Sequence, residues 1–541
     1  IFNTPELASE LNRQGSFSNL PTDDEILLDA LEQWGLERTL SKLNGAFVFA
    51  WFNRQDRTLT LARDHAGFRQ LYYTLDPDGQ GLAFASRFDA VLKSPFTPPP
   101  KVDLNALAHY LRLSYFPGTE TLFQQVKQLE PGSYLQINAD NQLRLARWFE
   151  MPRQVEQGFI GEDRALEELE WTLEKAVRQQ FEGNRPVGVF LSGGVDSPLI
   201  SAIARSQLGR GLPAFTISVP GWGQDEGADA RRYAKQLGLE QQIIEISGES
   251  ALGVIDQVIQ AQHEPFGDFS IIPSLLLFQH ASASVGLSLS GDGGDELFFG
   301  YERPFSLLRD GRDFRLPQVL RAGMFGLGKL GFIRKKSEVI LSRSPEDYYY
   351  GVNSRFSQKW LQKIASDLSA LKQAPELFAF ERYQNELDLA NYSRYVEYYG
   401  QLQRGLKKVE MASARQSLEV SAPLLDRDVV ALSLKINPLD MMKDGQRKRL
   451  LYKLLGKFVP QEIIPATKRG FGIPLGEWMR GPMRALVEET LFSGGLYPSG
   501  LFSQQELNAY WQEHLSGKAD HKWGLWNLLC LQWWAARNLD K

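Results

Sequence analysis

Residues 187–200 read VGVFLSGGVDSPLI, and this stretch decides the fold. An apolar run of strand length enters Ser192-Gly193-Gly194, passes Asp196 and Ser197, and continues as a second apolar run. A buried strand needs no polar end in order to fold. The carboxyl ends of strands are, however, where open parallel sheets bind ligands. Glycines let backbone N–H groups approach an anion, and the start of the following helix adds partial positive charge. The hydroxyls of Ser192 and Ser197 add further donors. A carboxylate at Asp196 disfavours a bare phosphate, and it makes sense when a divalent cation bridges it to phosphates. The loop therefore suits a magnesium–pyrophosphate group. The competing reading is a glycine-rich turn with an aspartate at the helix start, and the six-residue string outweighs it. The loop is not a Walker A loop, because no Gly-Lys-Ser/Thr follows.

Working outward, the pattern around this loop alternates. RALEELEWTLEKAVRQQF reads as a helix before the strand VGVFL. LISAIARSQL (helix), AFTISV (strand), ADARRYAKQLG (helix) and QQIIEI (strand) come after it. Such alternation predicts a parallel sheet with crossover helices. A second strand, 285–289, ends in Ser290-Gly291, then Asp292, Gly293, Gly294, Asp295 and Glu296. Three carboxylates in five residues repel one another unless they share something positive, such as magnesium or an attacking amine. Two strand-end Ser-Gly loops fit two loops meeting over one sheet; a solvated acidic turn is the competing reading. A third motif, PATKRGFGIPLGEWMRGP at 465–482, sets Lys468 and Arg469 before a flexible Gly-Phe-Gly, suited to carrying a cation over a phosphate site. From about residue 300 helical patterns dominate.

The first 150 residues have a different texture. LNGAFVFAWFN and RTLTLARD read as paired strands, while QLYYTLDPDGQGLAFAS and PGSYLQINADNQLRLARWF read as hairpins. DDEILLDALEQWG reads as a helix with Thr22 as its N-cap. A polar stretch with Gly and Pro follows near residue 150. The predicted organisation is a first domain at 1–150, a linker at 151–165 and a second domain at 166–541.

The totals bound the function. The 541 residues exceed one ordinary core. A net charge of −5 gives no reason to expect a nucleic-acid partner. One cysteine, Cys530, excludes an intrachain disulfide and a Cys-based zinc site, and is compatible with the cytoplasm. No apolar run is long enough to span a membrane. The chain opens IFNTPEL with no initiator Met, which reads as a fragment or a processed chain.

LSGGVDS, SGDGGDELFFGY, SLEVSAPLLD and KRGFGIPLGEWMRGP resemble the signatures of the asparagine synthetase family, glutamine-hydrolysing type. LNGAFVFAWFN, RDHAGFRQLYY and LEPGSYL in the first domain follow the family order. The resemblance implies an α/β multidomain protein. Its first part is a partial Ntn-type αββα glutaminase domain. Its second is a parallel-sheet α/β ATP-pyrophosphatase domain (adenine nucleotide alpha hydrolase-like) with a helical C-terminal part. It implies ATP and Mg2+ as cofactors. Leu191, Ser192, Gly193, Gly194, Asp196, Ser197, Ile217, Ser290 and Gly291 match ATP-binding positions. Asp196 and Asp295 match metal positions, and Asp292 and Lys468 match catalytic ones. Asp23 matches the aspartate that holds the amino group of glutamine. The implied reaction converts a carboxylate, aspartate in the parent family, to a β-aspartyl-adenylate. Ammonia from glutamine then gives asparagine, AMP and pyrophosphate. The implied partners are small molecules, namely aspartate or another carboxylate and glutamine or ammonia, with no nucleic acid or membrane and with a homodimer left open.

The sequence departs from the family pattern in places. The N-terminal cysteine nucleophile and the upstream glutamine-binding residues are not in the chain, which reads as a truncation. Asp292 stands where Glu is commoner, Gln70 where Pro is usual, Arg87 where Glu is usual, and Ser421 where Arg is common. The Ser421 change points to a different carboxylate or acceptor. The alternatives are a related adenylating amidotransferase or an amide- or lactam-forming synthetase, and, from another class, a nucleotide-binding regulatory protein without turnover. His65 reads as structural. His263, Glu264 and Asp268 read either as the border of a carboxylate pocket or as a loop cap.

Overall fold

In the computed structural model all residues are described except 12–21, 77–80, 182–184, 210, 333–337, 370, 372–373, 381–383, 466–471 and 540–541. The first part of the chain forms two antiparallel sheets. Strands β1 (Val48–Asn53), β2 (Thr58–Arg63), β3 (Tyr72–Leu75), β4 (Leu82–Ala85), β5 (Val126–Gln128), β6 (Ser133–Ile137) and β7 (Leu143–Arg147) assemble in the orders β1-β2-β6-β7 and β4-β3-β5. Leu61, Tyr73 and Leu135 pack between the two sheets. Helices Thr4–Glu10, Asp23–Trp34 and Leu36–Lys42 cover the outer face of the first sheet through Leu7, Ile26, Leu40, Ala62 and Tyr134. Thr22 caps its helix as the sequence suggests: the Glu25 N–H donates to Thr22 Oγ1 at 3.4 Å, and the Thr22 N–H donates back to Glu25 Oε2 at 2.8 Å.

The predicted linker is anchored at its first residue, and residues 156–158 are exposed. Met151 is fully buried and its N–H donates to the Tyr399 hydroxyl at 3.0 Å. The next helix, Glu162–Phe181, starts inside the stretch read as linker.

Strands β8 (Val187–Phe190), β9 (Pro213–Ser218), β10 (Glu240–Glu245), β11 (Leu287–Leu289) and β12 (Glu419–Ser421) form one sheet in the order β10-β9-β8-β11-β12, every pair parallel. The sequence reading missed β12. Three residues are too few to show a two-residue period inside a helical region. Winding reverses between β8 and β11, and such a switch point opens a crevice at the carboxyl ends of the two strands.

No boundary divides the core between the two parts. One apolar cluster runs from Phe68, Tyr72, Phe88 and Phe123 through Leu199 and Leu289 to Trp526 and Trp534. The Phe88 and Trp534 rings lie 5.6 Å apart. Tyr110 donates to the Asn527 carbonyl at 2.8 Å, and the Asn527 amide donates to the Leu111 carbonyl at 2.7 Å. Cys530 is buried in this aromatic helix, and burial pushes its thiol pKa up.

Candidate active site at the strand switch point

Both motif loops leave the carboxyl ends of the two strands flanking the switch point, β8 and β11. The first loop is tied to the start of helix Asp196–Leu208. The Ser192 N–H donates to Ser197 Oγ at 2.9 Å, the two hydroxyl oxygens lie 2.9 Å apart, and the Gly194 N–H donates to Ser192 Oγ at 3.2 Å. The Gly193 N–H donates to Glu226 Oε2 at 3.2 Å, so it already holds an anionic oxygen. Leu191 anchors the loop: its N–H donates to the Phe215 carbonyl at 2.9 Å and its carbonyl accepts from Thr216 Oγ1 at 2.8 Å. Ile217, half-buried, is the penultimate residue of the neighbouring β9.

The second loop presses against the first. A side chain at Gly291 would place its Cβ 2.6 Å from the Ser197 nitrogen, and one at Gly294 would lie 2.5 Å from the Asp196 carboxylate. These glycines therefore serve the approach of loop to loop. Gly293, at φ +96°, supplies the left-handed turn between them. Ser290 is fixed to the sheet, its N–H on the Ser421 carbonyl at 2.8 Å, and its hydroxyl donates to Asp292 Oδ2 at 2.7 Å.

A lysine that the sequence reading missed lies where the loops meet. The Lys448 ammonium bonds Asp196 Oδ2 and lies 2.7 Å from Asp295 Oδ1, with its side chain 7% exposed. Burial works to lower its pKa, and the Asp196 and Asp295 carboxylates more than reverse this, holding it above the usual lysine value. Held between two carboxylates, Lys448 stands in the loops as a cation. Its helix, Arg449–Leu455, is pinned by ion pairs from Arg449 and Lys453 to Glu162. In sequence Lys448 is the middle of Arg447-Lys448-Arg449, which reads as a solvated basic face. Only the left-handed backbone at Lys448, φ +51°, turns its side chain inward, and no sequence signal marks that. Lys468, the sequence candidate for such a cation, lies outside the described residues.

Beside the pair, Glu296 is buried. Burial, and then the neighbouring Asp295, push its carboxyl up to about 8, against the donated Tyr301 hydroxyl at 2.7 Å. Ser421 turns away from the loops and donates to Gln180 Oε1 at 2.8 Å, so its side chain serves packing. Asp268 acts as a loop cap, accepting from the Ser270 N–H and hydroxyl, and pairs with Arg404 at 3.2 Å. Glu264 bonds Lys407 and the Tyr72 hydroxyl, joining the two parts of the chain. His65 Nε2 meets the Leu425 carbonyl at 3.0 Å, a structural bond. Asp23 is separate from this cluster. It accepts from the Ile1 ammonium at 2.7 Å and from Thr4 Oγ1 at 2.6 Å, half exposed on its own helix.

Two parallel-strand loops thus meet at a lysine–dicarboxylate bridge over the switch point. Residues 168–536 match the family described as asparagine synthase. The chain belongs to the asparagine synthase family. Residues 1–149 match the glutamine amidotransferase domain. Among its relatives, asparagine synthetase [glutamine-hydrolyzing] 1 of Bacillus subtilis is 28% identical across all of this chain and 85% of its own length. Asparagine synthetase [glutamine-hydrolyzing] 3 of the same organism is 24% identical over 86% of this chain and 73% of its own. Amidase chyE of Penicillium rubens is 23% identical over 90% of this chain and 77% of its own. This asparagine synthase family member is a ligase, with an amidotransferase half and a parallel-sheet half.

Proposed function

We propose that the site makes an amide from a carboxylate that it first activates with ATP, and that the carboxylate is the side chain of aspartate. A carboxylate oxygen attacks the α-phosphorus, the bond to the β-phosphate oxygen breaks, and pyrophosphate leaves. The nitrogen of ammonia then attacks the acyl carbon, AMP leaves, and the nitrogen gives up a proton. Glutamine supplies the ammonia, and Asp23 holds its amino group. The single observation that carries the reading is the Lys448 bridge between Asp196 and Asp295, which joins the two strand-end loops at the switch point.

The residues divide the work. Once substrate displaces the Glu226 carboxylate from the Gly193 N–H and the loop's internal bonds exchange, Ser192, Gly193, Gly194 and Ser197 offer hydroxyl and N–H donors to the departing phosphates. Lys448 offsets negative charge that grows on the leaving group. Asp292, oriented by Ser290, lies at the same mouth. Magnesium fits the donor set of Asp196 and Asp295. Both offer hard carboxylate oxygens, the donor type magnesium takes, and they would hold the ion where they now meet the Lys448 ammonium. When bound, the ion would neutralise phosphate charge.

The test is incubation with ATP, magnesium, aspartate and ammonium. AMP, pyrophosphate and asparagine should appear in equal amounts. Asp196→Asn should abolish pyrophosphate release. If pyrophosphate forms only with a different carboxylate, the second reading holds, an adenylating ligase for another acid. The similarity to an amidase-named relative over 90% of the chain favours keeping that reading. Pyrophosphate with no carboxylate at all refutes adenylation.

A further inference from the structure

Helix Gln318–Lys329 is built inside out. Its arginine is buried and its aliphatic residues face water. Arg321 is 3% exposed and donates to the carbonyls of Leu316 at 3.1 Å, Ile340 at 2.7 Å and Ser342 at 2.5 Å. Met324 and Phe325 pack inward with it. On the other side Val319 is 83% exposed, Leu320 57%, Leu327 46% and Leu330, just past the helix, 73%. At helical spacing these four fall in an arc of about 100°. Phe332, 74% exposed, continues the surface. Single exposed leucines are ordinary, but a contiguous apolar stripe on one helix marks an interaction surface.

Charge identifies the occupant. Within residues 312–332, Arg312, Arg315, Arg321 and Lys329 are basic, with Arg321 turned inward, and Asp313 is the one acidic residue, in a chain whose net charge is −5. Exposed Arg315 and Lys329 flank the stripe at its two ends, and exposed Arg343 lies beside it, its carbonyl accepting from Arg321. Apolar residues ringed by cations suit the boundary between acyl chains and anionic headgroups. Among the described residues no helix is long and apolar enough to cross a membrane, so this one would lie in the surface.

We propose that this face docks the protein reversibly on an anionic lipid surface. The buried arginine explains how the fold affords the arrangement. Its guanidinium closes the carbonyls of the 340–343 turn, so the helix is held by hydrogen bonds and its apolar side stays free.

The test is sedimentation of the full chain with phosphatidylcholine vesicles, with and without phosphatidylglycerol. The protein should pellet with the phosphatidylglycerol vesicles, and added salt should weaken this. The double variant Val319→Asp, Leu330→Asp should reduce the bound fraction by about tenfold while ammonia-dependent pyrophosphate release is unchanged. Arg315→Glu with Lys329→Glu should weaken binding to the anionic vesicles alone. The proposal is overturned if the wild type stays in the supernatant or the aspartate variant binds equally. It is also overturned if light scattering shows a dimer that the aspartate variant splits, because a second copy is then the occupant.

Discussion

Lys448 is at once a structural bridge and a reactive-site cation, and the two roles separate by experiment. Lys448→Met removes the ammonium that bridges Asp196 and Asp295. Breaking one partner of a largely buried ion group costs about 3 kcal/mol, read as a lower midpoint in urea. Pyrophosphate release should fall by about a hundredfold or more, a size typical of losing a charge-stabilising group. Added magnesium should raise the melting temperature of this variant more than that of the wild type, since the two carboxylates then lack their own cation. A melting temperature that ignores magnesium would remove the metal from Asp196 and Asp295.

Glu410 makes a second prediction at this scale. Burial, opposed by Arg69 and the Gln70 N–H, pushes its carboxyl up to about 7. Arg63, Asp64 and Lys407 also face it. Its folded pKa is above the ordinary glutamate value, so ionising it in the fold is unfavourable. Stability is therefore lost as pH rises from the unfolded value through about 7 and is level above that. Glu410→Gln removes that loss, on the order of 3 kcal/mol, and should flatten the stability profile between pH 5 and 8. An unchanged profile would show that Glu410 is ionised throughout. Gln70 is part of this arrangement: its N–H reaches Glu410 Oε1 at 3.1 Å, a donor that the proline usual at this position in the family would lack.

Among elements, the glycines of the second loop set the closeness of the two strand ends. Gly291→Ala should push the 290–295 loop off the start of helix Asp196–Leu208, costing about 1–3 kcal/mol and more than tenfold in pyrophosphate release. Circular dichroism should stay unchanged. Wild-type activity in this variant would mean that the loops tolerate separation. The elements carrying these loops were legible because their patterns are local: apolar runs of strand length ending in Ser-Gly, followed by helical periods. The hairpins and the Thr22 cap were legible for the same reason. Strand β12 was not, since it exists only through pairing with β11. Lys448 was not, since its direction depends on one left-handed backbone angle. Glu226 holds Gly193 from another strand's far loop, a contact no spacing encodes. The exposed stripe at 319–332 drew no separate reading among the helical patterns after residue 300, because a period shows that a face is apolar but not which way it turns.

At the scale of the molecule, the buried group of Glu264, Lys407 and Tyr72 binds the amidotransferase part to the synthetase part. Lys407→Met strands a buried carboxylate and should cost about 3–5 kcal/mol. Replacing both partners, Lys407→Met with Glu264→Leu, should recover most of that loss. Calorimetry should show one transition, with both parts melting together. Two separated peaks would contradict a shared core.

That shared core also bears on lineage. A gene cut near codon 150 would encode two pieces, each presenting the apolar face that the other was shaped to cover. Neither piece would be a safe independent product, and exchange of one half for a distant cousin's would have to rebuild the facing aromatic residues together. Selection on such a chain acts on one reading frame, and the two activities are inherited as a unit because their packing is.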